Sequence, residues 1–424
     1  MLKLAVIGCG NRGRDTYGRL LLSMKDRVRV VAIAEPRADR REAMAKEHEV
    51  PAERVFCLGE ELLAQEKMAD AVLVCTQDQD HVTEAVRAMR RGYDVLMEKP
   101  ISASLEELHS LLQVQKETGK RVVVCHVLRY TPFFRKLKET IDSGVLGDIM
   151  TVQAMENVGW WHMAHSYVRG NWRREDETTP MILAKCCHDL DYLVWLCSRQ
   201  CERVSSFGSL TLFREDRAPE GAALRCMDGC RVKDECPYDC EKIYLDYPVT
   251  GYRAGNRGWP LHVLTLGINE ENIRSALQEG PYGRCVYHCD NDVVDHQMVQ
   301  MEMEGGAVLT LNMTGCTAKT GRTLSICGTM GEIRADMDAE IIEITPFGKS
   351  TEIVDVTKLA DDFSGHGGGD KVMLAAFLDL LEGRGVHPGL TTLEASVESH
   401  LIGIAAEMSR KNCGQAVEIS SIRQ

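Results

Sequence analysis

Three glycines, Gly8, Gly10 and Gly13, stand in GCGNRG between the apolar run LAVIG and the helix-like stretch DTYGRLLLSM. A strand feeding a helix through such a loop offers backbone N–H groups and a helix N-terminus to a diphosphate. The first glycine permits the tight turn, the second lets the backbone approach the phosphates, and the third lets helix and strand pack closely. Glu35 closes the next apolar run about 20 residues on, where a carboxylate hydrogen-bonds the adenosine ribose. The acid favours NAD over NADP, because it repels an added phosphate. Arg37 and Arg40 read as solvated side chains at a helix start rather than as phosphate ligands.

Two further groups of residues carry chemistry. GWWHMAHSYVRGNWR supplies Trp161, His162, His165, Tyr167, Arg169 and Trp172. Aromatic faces stack on the C–H side of sugars while the polar groups bond hydroxyls, so a polyhydroxylated ligand is expected. RCMDGCRVKDECPYDC then concentrates Cys226, Cys230, Cys236 and Cys240, and GRCVYHC adds Cys285 and Cys289. The spacings are not those of a zinc ribbon, so they point to metal, as zinc or an iron–sulfur cluster, with free thiols packed as small apolar groups as the alternative. A fully thiolate-ligated site has no open position, which makes its role structural. Cys9, Cys57, Cys75 and Cys125 read as small core residues.

The elements that must position these groups follow from periodicity. LAVIG, VRVVAIAE, ADAVLVC, YDVLME and RVVVCH alternate with amphipathic stretches, the pattern of an α/β, doubly wound parallel Rossmann sheet over residues 1–126. After the helical TPFFRKLKETIDSG, the runs DIMTVQAMENVGWW, VSSFGSLTLF, DHQMVQMEMEGGAVLTLNMTG and AEIIEITPFG predict an α+β unit with an open, mostly antiparallel sheet. Residues 127–424 form this unit, for substrate binding and oligomerisation, with the Cys-rich insertion at about 214–290.

Composition limits the partners. A net charge of −13 leaves no basic stripe, so nucleic acid is excluded as a partner. No apolar run is long enough to cross a bilayer, and MLKLAVIGCG lacks the regions of a signal peptide. Seventeen cysteines then read as reduced thiols or metal ligands in the cytoplasm.

At YDVLMEKP, ending in Glu98, Lys99 and Pro100, the chain resembles the glucose-fructose oxidoreductase, inositol dehydrogenase and MocA family. CTQDQDH with Thr76 and His81, CHDLDYLVWL at 187–196, SICGTMGEI and GHGGGD extend the likeness over nearly the whole chain. The resemblance implies an NAD(P)-dependent oxidoreductase moving hydride between nicotinamide and a secondary alcohol of a sugar, polyol or glycoside, assembled as a homodimer or homotetramer. Gly8, Gly10, Asn11, Arg12, Gly13, Glu35, Thr76, His81, Glu98 and Lys99 are then expected at the cofactor. Lys185 and His366 are expected at the substrate. Lys99 is placed beside the substrate hydroxyl, where an ammonium stabilises developing alkoxide charge, and His188 is placed as proton acceptor.

The chain departs from the family pattern at one position. Many relatives carry Asp four residues before the histidine, where this chain has Ala184. Lys185, expected on the same helix face as His188, or Asp191 are alternative proton relays. Cysteine-rich insertions in a bacterial branch that this chain resembles imply Cys226, Cys230, Cys236 and Cys285 as the metal ligands. Two other functions stay open: an NAD-dependent glycosidase working by transient oxidation and elimination, and a non-catalytic NAD-binding sensor.

Overall fold

The computed structural model describes residues 1–423. β1 (Leu2–Ile7), β2 (Val28–Ala34), β3 (Val55–Phe56), β4 (Ala71–Val74), β5 (Asp94–Met97) and β6 (Val122–Val124) form an all-parallel sheet in the order β3-β2-β1-β4-β5-β6. The central strands are apolar throughout because helices cover both faces; all four residues of β4 are buried. Strand order reverses between β1 and β4, so a crevice opens at their carboxyl ends, where dinucleotides bind in such sheets. β3 is a two-residue edge strand that the apolar runs did not reveal.

The second sheet has nine strands: β7 (Ile149–Asn157), β8 (Cys201–Ser209), β9 (His296–Met303), β10 (Val308–Thr314), β11 (Gly321–Gly328), β12 (Gly331–Asp336), β13 (Ile341–Pro346), β14 (Glu352–Asp355) and β15 (Val417–Glu418). Their order is β14-β13-β12-β11-β7-β10-β9-β8-β15, and every pairing is antiparallel except β10 with β7. Alternation along the strands buries one face, with Val152, Val299, Leu309, Leu311, Leu324 and Ile326 in the core. The other face, with Gln153, Met298, Gln300 and Val308, is exposed.

The chain beyond residue 127 does not stay with the second sheet. The helix Gly369–Glu382 returns to the first one, where Met373, Leu374 and Phe377 pack with Leu4, Val6, Ile33 and Leu96. Thr391 and Thr392 also pair along β6. The parallel sheet thus has its back covered by a helix from late in the chain.

Following β1, the chain winds a wide π-type turn over Asn11–Gly18 before the short helix Arg19–Leu22, so the expected helix begins earlier and looser than its sequence reads. At Gly13 an added Cβ would lie 1.9 Å from the Gly8 carbonyl oxygen. Gly13→Ala is accordingly expected to lower stability by about 1–3 kcal/mol. Gly258→Ala, whose methyl would meet nothing nearer than 3.7 Å, is the neutral control. Urea unfolding checks this, and equal midpoints for wild type and Gly13→Ala would refute the packing role.

Candidate active site

The glycine loop sets the floor of the crevice. Gly8 has φ +92°, and a Cβ there would lie 2.4 Å from the Cys75 carbonyl oxygen, so the loop presses directly on the end of β4. At Gly10 a Cβ would meet only an Arg40 nitrogen, at 3.4 Å. Its missing side chain serves no packing inside the protein and leaves the backbone approachable, as a pyrophosphate requires. Glu35 is buried beside the loop and accepts hydrogen bonds from the backbone N–H of Cys9 at 2.8 Å and of Arg37 at 2.9 Å. These bonds fix the carboxylate in place, so it cannot turn aside to admit a phosphate. Arg37 is meanwhile paired with Asp39 at 2.7 Å. Donors and acid together fit NAD.

Arg12 and Glu98, expected as cofactor contacts, are spent largely on each other. Arg12 Nε donates to Glu98 at 2.7 Å, a second nitrogen donates to Asp370 at 2.6 Å, and the Tyr17 hydroxyl donates to the same Glu98 oxygen at 2.6 Å. Burial works against charge on Glu98, but Arg12 and then Lys99 hold its carboxyl below the usual range. His366, exposed, leans on Asp370 at 2.9 Å. His81 is buried behind the 99–100 peptide, with Nδ1 2.7 Å from the Pro100 carbonyl oxygen, so it supports the turn rather than facing the crevice. The Thr76 hydroxyl has no protein partner among the described residues. Asn11 is exposed and meets His262 Nε2 at 3.1 Å.

Lys99 follows β5 at a cis peptide to Pro100. Its ammonium donates to the backbone carbonyl of Ala184 at 3.0 Å, the position where many relatives have Asp. His188 sits one helix on, within Cys187–Cys197, buried, with its Nδ1 unpartnered. Burial, and next the Lys99 ammonium, hold its imidazole well below the ordinary histidine range, so it is neutral and able to accept a proton.

No carboxylate lies within salt-bridge distance of His188 among the described residues, because the acids nearby are engaged. Arg129 grips Asp191 with two bonds of 2.6 Å. Arg322 grips Asp189 at 2.8 and 3.1 Å, and Lys185 pairs with Glu156 at 3.2 Å. Lys185 also fails to share a helix face with His188: the helix Met181–Ala184 ends before it and the next begins after it.

The aromatic segment divides. Trp161 stacks on His162, and Trp259 of the insertion packs edge-on to His162 at 4.9 Å and 5.1 Å from Trp161. His165 is buried against Tyr282, with Nδ1 2.8 Å from the Tyr244 hydroxyl, so it is packed rather than offered to a ligand. Tyr167 is buried near Trp172, whose indole N–H donates to the buried Asp78 at 3.2 Å.

Arg169 turns away altogether. It is 1% exposed and donates to the carbonyls of Arg284 and Tyr238, both at 2.7 Å. Its neighbours there are thiols: Cys226, Cys230, Cys236 and Cys285 line one small cavity with it. The ligand atoms of Cys226, Asp239 and Cys240 also lie within 4.8 Å of one another.

Sequence reasoning missed Trp259, His262, Tyr17 and Asp370. Trp259 and His262 meet the site through contacts far along the chain, whereas Tyr17 and Asp370, next to the glycine loop and at the end of GHGGGD, meet it through Arg12.

Residues 2–126 match the model for an oxidoreductase family's NAD-binding Rossmann fold, and residues 138–418 match that family's C-terminal alpha/beta domain. The chain is 25% identical over 325 residues to a putative oxidoreductase, YteT, of Bacillus subtilis, covering 72% of this chain and 71% of that protein. It is 29% identical over 198 residues to an inositol 2-dehydrogenase of Pseudomonas savastanoi, covering 46% of this chain and 54% of that one. Among solved structures, an Agrobacterium radiobacter oxidoreductase in complex with NAD+, L-tartaric acid and magnesium superposes with a TM-score of 0.69 at 15% identity, covering 99% of each chain. The WlbA dehydrogenase of Chromobacterium violaceum, in complex with NADH and UDP-GlcNAcA, has a TM-score of 0.69 at 17% identity, covering 98% of this chain and 95% of that one. With both of its halves matched and the glycine loop, Glu35 and the Lys99 turn in one crevice, the chain belongs to the glucose-fructose oxidoreductase, inositol dehydrogenase and MocA oxidoreductase family.

Proposed function

We propose that this protein is an NAD-dependent dehydrogenase acting on a secondary alcohol of a sugar, polyol or glycoside. The observation that carries this reading is the meeting of Lys99 with the Ala184–His188 segment at the mouth of the dinucleotide crevice. The named relatives and neighbours that act on inositol or bind a UDP-sugar support the substrate class.

NAD, when bound, would supply the hydride acceptor for the carbinol carbon. Gly8, Gly10, Gly13 and Asn11 would hold its diphosphate, Glu35 its adenosine ribose, and the free Thr76 hydroxyl is available near the turn. One Lys99 hydrogen is held by the Ala184 carbonyl, leaving the others for the substrate oxygen. Neutral His188 accepts the alcohol proton, so no positive charge has to be buried beforehand. Trp161 and His162, braced by Trp259, offer a face for the ring.

We further read residues 1–126 as the cofactor unit and most of 127–424 as the substrate unit. The exposed outer face of the second sheet is read as the seat of a homodimer or homotetramer. The thiol-rich insertion is read as holder of a structural zinc ion or iron–sulfur cluster. Seventeen cysteines, none in a disulfide among the described residues, support a reducing compartment, the cytoplasm. No described helix is long and apolar enough to cross a membrane. The loss of an acid at Ala184 favours a second reading, the redox glycosidase, which returns its hydride and leaves NAD unchanged.

The test is incubation with NAD and a panel of sugars, polyols and glycosides, recording NADH and glycoside cleavage together. Stoichiometric NADH supports the dehydrogenase; cleavage without net NADH replaces it with the glycosidase. Lys99→Met and His188→Ala should each lower kcat by about 100- to 10,000-fold while NAD still binds. Normal turnover in either would remove that residue from the chemistry.

Because His188 acts only when neutral and its pKa is lowered, kcat/KM should persist as pH falls through the ordinary histidine range and decline only below it. A decline already at the ordinary histidine value would contradict this. Glu35→Ser should raise the NADP-to-NAD ratio of kcat/KM by about tenfold or more; an unchanged ratio would mean that the acid does not set the preference.

A further inference from the structure

We propose that His126 is a positioning residue for His188: its imidazole accepts the His188 Nδ1–H, while Asp191, held by Arg129, orients it from behind. The proposal rests on His188 being the proton acceptor of the reaction proposed above.

The apolar run of β6 ends at His126. Its backbone N–H donates to the Val124 carbonyl two residues back, at 2.7 Å, a γ-turn of the kind that closes strands. The imidazole that follows is fully buried, 5.8 Å from the ring of His188 on the helix Cys187–Cys197 and 5.7 Å from that of His400 on the helix Leu393–Lys411. Neither of its nitrogens has a partner among the described residues, and the same is true of His188 Nδ1. Three imidazole nitrogens are thus enclosed side by side without hydrogen bonds, where buried polar groups are ordinarily paired.

The neighbours narrow the pairing. His400 is closed to His126, since its Nε2 accepts from the Ile101 N–H and its Nδ1 faces the Ser396 carbonyl, each at 2.8 Å. Asp191 Oδ1 lies 3.9 Å from His126 Nε2. That is too long for a hydrogen bond but favours the proton on that nitrogen. Arg129 fixes this carboxylate with two bonds of 2.6 Å. With Nε2 protonated, His126 keeps Nδ1 as an acceptor. The other charges near the ring are Arg129, Lys99 and Glu98; burial, and next Arg129, keep the imidazole neutral.

His188 needs such an acceptor. Its enclosed nitrogen is Nδ1, so Nε2 is the one left to meet a substrate. To take the alcohol proton on Nε2, the resting ring must carry its own proton on Nδ1, and that N–H has to be bonded once water is excluded. His366, whose ring lies 6.2 Å away, has its Nδ1 committed to Asp370 at 2.9 Å. His126 meets His188 edge to ring, at an interplanar angle of 81°. A small turn of either ring makes the bond, and contacts of this kind tighten when substrate seats. The positive charge that forms on His188 is then shared with a neutral ring backed by a paired carboxylate.

The experiment uses full-length protein with isotope-labelled histidine and NAD alone. Long-range proton–nitrogen NMR spectra report the tautomer of each ring, the two signals being assigned by their loss in His126→Asn and His188→Ala. Expected are two neutral rings, His188 protonated on Nδ1 and His126 on Nε2. Either proton on the other nitrogen would overturn the proposal.

Turnover supplies the second arm, with NAD and the sugar or polyol that the panel selects. His126→Leu should lower kcat by about 10- to 100-fold, and His126→Asn, whose side-chain oxygen replaces Nδ1 as acceptor, should stay within about threefold of wild type. Equal losses in both would make His126 a packing residue, and normal turnover in His126→Leu would remove it from the reaction. If His126→Leu does not fold, the wild-type tautomers still decide. Because the spectra need no substrate, failure of this pairing and failure of the dehydrogenase reading remain distinguishable.

Discussion

The site depends on one buried charge network. Arg12, in the glycine loop, lies between Glu98, which precedes Lys99, and Asp370, at the start of the helix that covers the back of the parallel sheet. Three segments remote in sequence are fixed by one guanidinium: the loop for the diphosphate, the turn that carries Lys99, and the returning C-terminal chain. Burying two carboxylates around one cation is tolerable only because the geometry is tight and the remaining oxygens are used: Tyr17 and the Lys99 N–H bond Glu98, and His366 meets Asp370. Removing one member leaves a buried charge uncompensated, so the network acts as a unit that positions the crevice.

The same economy of charge shapes the chemistry around His188. Its ring lies 5.8 Å from that of His126 and 6.2 Å from that of His366, while His126 in turn packs 5.7 Å from His400. His400 is fixed as the neutral form, accepting from the Ile101 N–H and facing the Ser396 carbonyl with its other nitrogen, and burial lowers its pKa to about 3. Every acid close to the row is already gripped by an arginine or lysine. Among the described residues Lys99 is the cation at the turn that no carboxylate pairs, and burial keeps the imidazoles of His188, His126 and His400 beyond it neutral.

Much of this was legible in the sequence, and for physical reasons. Strands buried on both faces appear as unbroken apolar runs, so five of the six parallel strands stood out, while Val55–Phe56 is too short to show. Glycine spacing marked the loop because backbone approach has no substitute. Other positions failed where composition was read as availability: the donors of Arg169 and His165 were counted as free, yet Tyr238, Arg284 and Tyr244 consume them. Lys185 failed because spacing alone assumed a continuous helix across Ala184 to Cys187, where the chain breaks.

The insertion is the least legible part, since its role lies in contacts rather than periodicity. From one end it gathers thiols around Arg169; from the other it sends Trp259 onto Trp161 and His162, and His262 to within 3.1 Å of Asn11 in the glycine loop. It therefore touches both the aromatic face and the cofactor loop. It packs as it does because Tyr244, Leu245, Leu261, Ile273 and Leu277 are withdrawn into the core and the Arg225–Arg284 β-bridge ties its two arms. Order in the thiol pocket and shape in the crevice are thus one mechanical problem, joined through the short helical segment that begins at Trp160 and ends at Arg169.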